Sequence, residues 1–113
     1  MKDDKFYLHH ILEAAEKIES YTAAGRDSFM KAAMVQDAVI RNLEIIGEAA
    51  KQLSEWFKKR NADIPWRNVS GLRDILIHHY MGVDLEKVWN VVEYNLPQLK
   101  QAIQKNLRKK DKA

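Results

Sequence analysis

At 113 residues, with 46% hydrophobic and 31% charged side chains, the chain is sized for one domain with one core. It has no cysteine, which excludes a disulfide framework and a thiolate zinc site. The formal net charge of +3 is uneven: from Gln98 onward Lys100, Lys105, Arg108, Lys109, Lys110 and Lys112 stand against Asp111, giving the tail +5 and the rest −2. A basic terminal arm, marked from about residue 104, suits either a polyanion or the negative end of a helix dipole.

Met1-Lys2-Asp3-Asp4-Lys5 is charged and no apolar stretch of signal-peptide type follows. No apolar run approaches membrane-spanning length, so the expected setting is cytoplasmic, with no membrane partner. The first helix should begin after Asp3-Asp4, place Leu8, Ile11, Leu12, Ala15, Ile18 and Thr22 on one stripe, and end at Gly25. A second should run from about Phe29 to about Leu53, with Val35, Val39, Asn42, Ile46, Ala49, Ala50 and Leu53 facing inward. Asn42 needs a hydrogen-bond partner among these apolar neighbours. The opposite face carries Asp37, Arg41, Glu44, Glu48, Gln52 and Glu55. An Arg41–Glu44 pair would support it, whereas Glu44 with Glu48 is a like-charge i,i+4 pair that calls for a cation, such as an arginine from elsewhere.

Lys58 to Pro65 reads as a loop, with Asn61-Ala62-Asp63 as turn chemistry. A third helix follows to about Tyr80, and Gly82 closes it. Asp84 is the expected N-cap of a fourth, whose apolar side is Val88, Trp89, Val92, Leu96, Leu99 and Ile103. Pro97 lies inside that pattern and should bend it. Four helices, or up to five, with short connections and no strand signal make a single all-α antiparallel bundle over residues 1–113.

The third helix carries the chemistry. Val69, Leu72, Ile75, Leu76 and His79 form its core stripe, while Arg67, Gly71, Asp74 and His78 form a second, polar one. Glycine in mid-helix costs ~1 kcal/mol relative to alanine and is accepted where another backbone comes close, so this face is the expected contact with a second copy or a partner. Asp74 and His78 are an i,i+4 pair, which lets the carboxylate orient the imidazole for proton transfer. Arg73 lies about 140° around a straight helix from His78, so the two converge on one substrate only if the helix loosens or two subunits share a site. An arginine, a histidine and a tyrosine within eight residues also suit capping or packing. His9 and His10 are adjacent rather than one turn apart, and no ligand spacing for a metal is present, so neither metal nor cofactor is expected.

Arg73-Asp74-Ile75-Leu76-Ile77-His78-His79-Tyr80 resembles the R-x4-H-x-Y motif of the HEPN superfamily, in its HepT-like toxin branch. The likeness extends over Ala38 to Lys51, Ile64-Pro65-Trp66, Gly71-Leu72-Arg73, Gly82-Val83-Asp84, Val88-Trp89 and Leu96-Pro97. It implies a helical homodimer with the motif helices at its interface, acting as a metal-independent endoribonuclease toxin of a toxin–antitoxin pair. Arg73 and His78 would be catalytic, with Asp74 and Tyr80 supporting. The partner implied is a minimal nucleotidyltransferase antitoxin, which in some systems adds AMP to the tyrosine corresponding to Tyr80. The chain departs from the pattern at Asp74, where asparagine is frequent, and at His79, where a small residue is usual. Because the family also holds proteins described only as partners of nucleotidyltransferases, the alternative is a non-catalytic module that presents a substrate to such an enzyme.

Overall fold

The computed structural model describes residues 3–72 and 84–112, with side chains through Arg108, and every regular element among them is helical. Helix α1 spans Asp4–Tyr21, capped by Asp3, whose side chain accepts from the Phe6 amide. Its apolar stripe, Leu8, Ile11, Ala14, Ala15 and Ile18, is buried as the 3.6-residue period requires. The helix stops at Tyr21, before Gly25: Thr22 folds its hydroxyl back onto the Ile18 carbonyl at 2.8 Å. Gly25, with φ of 94°, then turns the chain into the next helix.

The long second helix expected from Phe29 is two. Helix α2 spans Arg26–Lys31 and α3 spans Ala33–Lys51, separated by Ala32 in extended backbone. The break turns Phe29 into the core, 1% exposed, with its ring 5.4 Å from that of Trp89. Gln36 secures it by donating to the Phe29 carbonyl at 2.9 Å. On α3, Asn42 is buried and finds its partner on its own helix, its Nδ2 donating to the Ala38 carbonyl at 2.9 Å.

Helix α4, Glu55–Arg60, occupies part of the stretch expected as loop. Ser54 caps it by accepting from the Phe57 amide, and Phe57 is buried. The connection shrinks to Asn61–Pro65, where the turn chemistry does lie, with the Ile64 amide donating to the Asn61 carbonyl. Helix α5 is short, Trp66–Ser70, and Gly71 ends it, so that glycine is a helix terminus rather than a mid-helix residue.

Asp84 caps α6, Leu85–Asn90, by accepting from the Glu86 and Lys87 amides, as its position in the sequence indicates. Val91–Asn95 then forms a π-helical turn, and α7 runs Leu96–Lys112 through the basic tail. The turn is how the chain absorbs Pro97. A proline has no N–H for the carbonyl four residues back and its ring crowds that carbonyl, so the bonding widens, and the Leu96 amide reaches the Val91 carbonyl. Val88, Trp89, Val92, Leu96, Leu99 and Ile103 are all buried, as the sequence pattern requires.

The long helices are antiparallel. Ser54, just beyond α3, donates its amide (2.8 Å) and hydroxyl (2.6 Å) to the Asp4 carboxylate at the start of α1. Glu19, near the end of α1, pairs with Lys100 at the start of α7. The core between them is continuous from Leu8 to Leu107. Because Asp4 holds both ends of this junction, Asp4→Ala lowers stability by about 1 kcal/mol. In thermal unfolding that is a fall of about 5 °C in Tm, and an unchanged Tm counts against the clamp.

Candidate functional site

Arg73, Asp74, His78 and Tyr80, the residues singled out for chemistry, lie outside the described residues, as do Ile75, Leu76, His79 and Gly82. Arg67 and Gly71 are described: Arg67 is exposed on α5, and Gly71 closes that helix. What the fold supplies is the two ends between which the motif is strung.

The upstream end is clamped by aromatic packing and by a glycine. Trp66 is buried, its indole N–H donating to the Asn61 carbonyl at 3.0 Å and its ring 5.7 Å from that of Phe57. Asn61 gathers three elements, since its Nδ2 donates to the Phe57 carbonyl and its Oδ1 accepts from Asn106 of α7. Against α3 the approach is closest at Gly47: a Cβ there would stand 3.1 Å from the Val69 carbonyl oxygen, 3.5 Å from that of Ser70 and 3.8 Å from the Leu72 side chain. Sequence reasoning gave Gly71 a close approach by a second copy or a partner; within the described chain, Gly47 is where one helix meets another backbone. Gly47→Leu therefore forces α5 away from α3 and costs about 2 kcal/mol, measurable by chemical denaturation. An unaltered midpoint contradicts this reading of the contact.

The downstream end is Asp84 with α6, whose Val88 and Trp89 are buried. Arg26 of α2 pairs with Glu86 of α6, and this bond, reinforced by the charge of the same carboxylate, raises the Arg26 pKa further above its already high value. The guanidinium is thus a fixed charge that ties α2 to the start of α6.

Two concavities lie beside this framework. One, of about 240 Å³, is mainly apolar, formed where Leu43, Ile46, Val69, Leu72, Val91 and Leu99 meet, with Asp63, Asn68, Asn95 and Gln98 also lining it. The other is a polar groove of about 530 Å³ between α1 and α3, lined by Phe6, Tyr7 and His10 on one side and by Arg41, Glu44, Ile45, Glu48, Ala49 and Gln52 on the other. Its carboxylates are positioned by α3 alone, whereas Tyr7 and His10 come from α1: Glu44 and Glu48 are one turn apart, and they flank Gly47 in sequence. The expected Arg41–Glu44 pair does not form. Glu48 instead bonds Lys51 at 3.3 Å, and no described cation pairs with Glu44. His10 stacks edge-on against Phe6, ring centroids 4.6 Å apart.

Among the described residues no group of three His, Cys, Asp or Glu side chains could hold a metal ion, and no helix is long and apolar enough to cross a membrane.

The model of the ribonuclease HepT-like family matches residues 11–106, which enclose both anchors and the motif between them. A protein of Methanocaldococcus jannaschii named "Gamma-glutamylcyclotransferase and putative RNase" is 48% identical over 112 residues, covering 98% of this chain and 50% of that protein, so the chain spans half the length of this relative. A "Probable ribonuclease HepT" of Thermococcus cleftensis is 44% identical across 96% of this chain and 98% of its own length. A "Putative RNase" of Caldanaerobacter subterraneus subsp. tengcongensis is 36% identical, covering 96% of this chain and 98% of that protein. No solved structure matches the chain significantly.

Proposed function

The chain belongs to the ribonuclease HepT-like family, and from that premise we propose that it is a metal-independent endoribonuclease acting through Arg73 and His78 in a composite site at a homodimer interface. The observation that carries the reading is the family match over residues 11–106, which contains the whole Arg73–Tyr80 stretch. The proposed reaction needs no external reactant. The ribose 2′-oxygen attacks the adjoining phosphorus as its proton leaves, the bond to the 5′-oxygen breaks, and that oxygen takes up a proton, leaving a cyclic phosphate. His78 serves one of these proton transfers, with an intrinsic pKa near neutrality. Arg73 offers a planar, permanently charged fork to the doubly negative phosphorane. Asp74, four residues before His78 in the sequence, orients the imidazole.

A dimer suits the geometry expected of the motif, because on a straight helix the two side chains would lie about 140° apart and a second copy brings its own pair. Arg67, Gly71, Asp74 and His78 form the proposed dimer face, and the exposure of Arg67 on α5 agrees with that placement. We assign the protein to the cytoplasm, as the toxin of a toxin–antitoxin pair with a minimal nucleotidyltransferase as antitoxin. AMP placed on Tyr80 adds bulk and negative charge beside a site that attracts phosphate, which excludes RNA.

The test is RNA cleavage by the purified protein, made without the nucleotidyltransferase and assayed in EDTA. Cleavage that leaves cyclic phosphate ends supports the reading. A folded dimer that leaves RNA intact overturns it in favour of a module that presents substrates to the nucleotidyltransferase.

A further inference from the structure

We infer that the polar groove between α1 and α3 is the base-reading subsite of the proposed nuclease, and that it takes a guanine of single-stranded RNA, with Glu44 on the base and Arg41 on the adjoining phosphate. The inference rests on the nuclease reading for its substrate class, and on the groove's own chemistry for the rest.

Place comes first. Glu44 and Glu48 flank Gly47, the residue that lets the Val69 and Ser70 carbonyls and the Leu72 side chain reach α3. Arg73 follows Leu72 in the chain, so the α3 segment that carries Glu44 and Glu48 also meets the residues leading to the motif.

Charge decides what the groove can hold. Its α3 wall presents Arg41, Glu44 and Glu48 on one face, of which only Glu48 is engaged among the described residues, by Lys51. A bare anion would meet two carboxylates, and a lysine or arginine from another protein would meet Arg41. A nucleotide avoids both conflicts, since its phosphate is an acceptor for the guanidinium and its base edge carries donors for a carboxylate. At about 530 Å³ the groove has room for such a unit, and Phe6 with His10 forms an aromatic wall of the kind on which bases stack.

The carboxylate selects the base. An ionised glutamate only accepts hydrogen bonds, so a bidentate match needs two adjacent donors. Guanine offers them in its N1–H and its exocyclic amino group. Adenine, cytosine and uracil set an acceptor beside each donor, and that lone pair would face a carboxylate oxygen. Glu44 is the better reader of the two glutamates because it is half-buried and unpaired among the described residues, whereas Glu48 is exposed and bonded to Lys51.

The experiment uses the full-length His78→Ala protein, which leaves RNA uncut under the nuclease reading. GMP, AMP, CMP and UMP are titrated by calorimetry against this protein and against the same protein carrying Glu44→Gln or Arg41→Ala. The inference expects GMP to bind most tightly. Glu44→Gln, which replaces one acceptor by a donor, should reduce that preference by about tenfold. Arg41→Ala should weaken all four nucleotides alike. Both positions lie on the outer face of α3, and circular dichroism confirms that each variant is folded.

Equal binding of the four nucleotides, or a guanine preference untouched by Glu44→Gln, overturns the inference. So does a result in which the groove variants leave nucleotide binding unchanged but dissociate the dimer, which would make the groove a protein contact. The nuclease reading fails separately. If the wild-type protein cuts RNA and Arg73→Ala does not, while no guanine preference exists, only the subsite is lost. If guanine is bound through Glu44 but no RNA is cut, the nuclease reading and its subsite both fail, and only a guanine-binding groove remains.

Discussion

His78→Ala and Arg73→Ala are each expected to reduce RNA cleavage by about a thousandfold, in a protein that keeps its fold and its assembly state. The magnitude follows from the work each group is asked to do. A positioned acid or base contributes ~10²–10⁴ in rate, and loss of a donor to the developing oxyanion costs ~10²–10³. Arg73→Lys is the informative companion. Lysine keeps the charge but not the bidentate fork, so a recovery of no more than about tenfold is expected if the guanidinium grips the phosphorane through two bonds. The pH profile separates the roles: His78→Ala should change the shape of the rate–pH curve, while Arg73→Ala should lower the whole curve without moving it. If both variants cut RNA at the wild-type rate, the catalytic assignment is wrong. If they are inactive but monomeric, the loss belongs to assembly rather than to chemistry.

Much of this architecture is readable from residue pattern because local and global preferences agree there. Asp3 and Asp84 cap helices as short acidic side chains should, and the stripe from Val88 to Ile103 is buried along its length. Pro97 foretells a disturbance, which takes the form of the π-helical turn at Val91–Asn95. The misread places are those where tertiary contacts override propensity. Ala32 lies in a run of helix formers, yet it breaks the helix because burying Phe29 against Trp89 outweighs one continuous axis. Helix α4 hides among Lys58, Lys59 and Arg60, and only the Ser54 cap and the buried Phe57 reveal it.

The same division holds at the site. Arg73, Asp74, His78 and Tyr80 are legible because their spacing carries a resemblance, and a spacing needs no tertiary information. The groove is not legible, since its walls come from residues 6–10 and 41–52, which only the pairing of α1 with α3 brings together. Its one trace in the sequence is the unbalanced Glu44–Glu48 pair. The glycine that matters for close packing is equally hidden: Gly47 sits within a good helix and shows its purpose only when the α5 backbone lies against it.

Trp66→Ala is expected to cost about 4 kcal/mol, the usual scale for deleting a buried tryptophan, and to lower Tm by about 15 °C. Because a domain of this size is stable by only ~5–15 kcal/mol, that single change removes a large share of the total. The side chain does two things. Its ring packs against Phe57, and its indole N–H satisfies the Asn61 carbonyl at the point where α4, α5 and α7 are joined. Trp66→Phe distinguishes them, since it keeps most of the apolar contact and removes the donor, leaving a loss of about 1 kcal/mol. The consequence reaches the chemistry because α5 leads through Gly71 and Leu72 directly to Arg73. Assayed well below its Tm, the alanine variant should cleave RNA at least tenfold more slowly than wild type, with the phenylalanine variant between them, since a small displacement of positioning groups is costly in rate. Full activity in a destabilised Trp66→Ala protein would show that the motif is held in place from its Asp84 end alone.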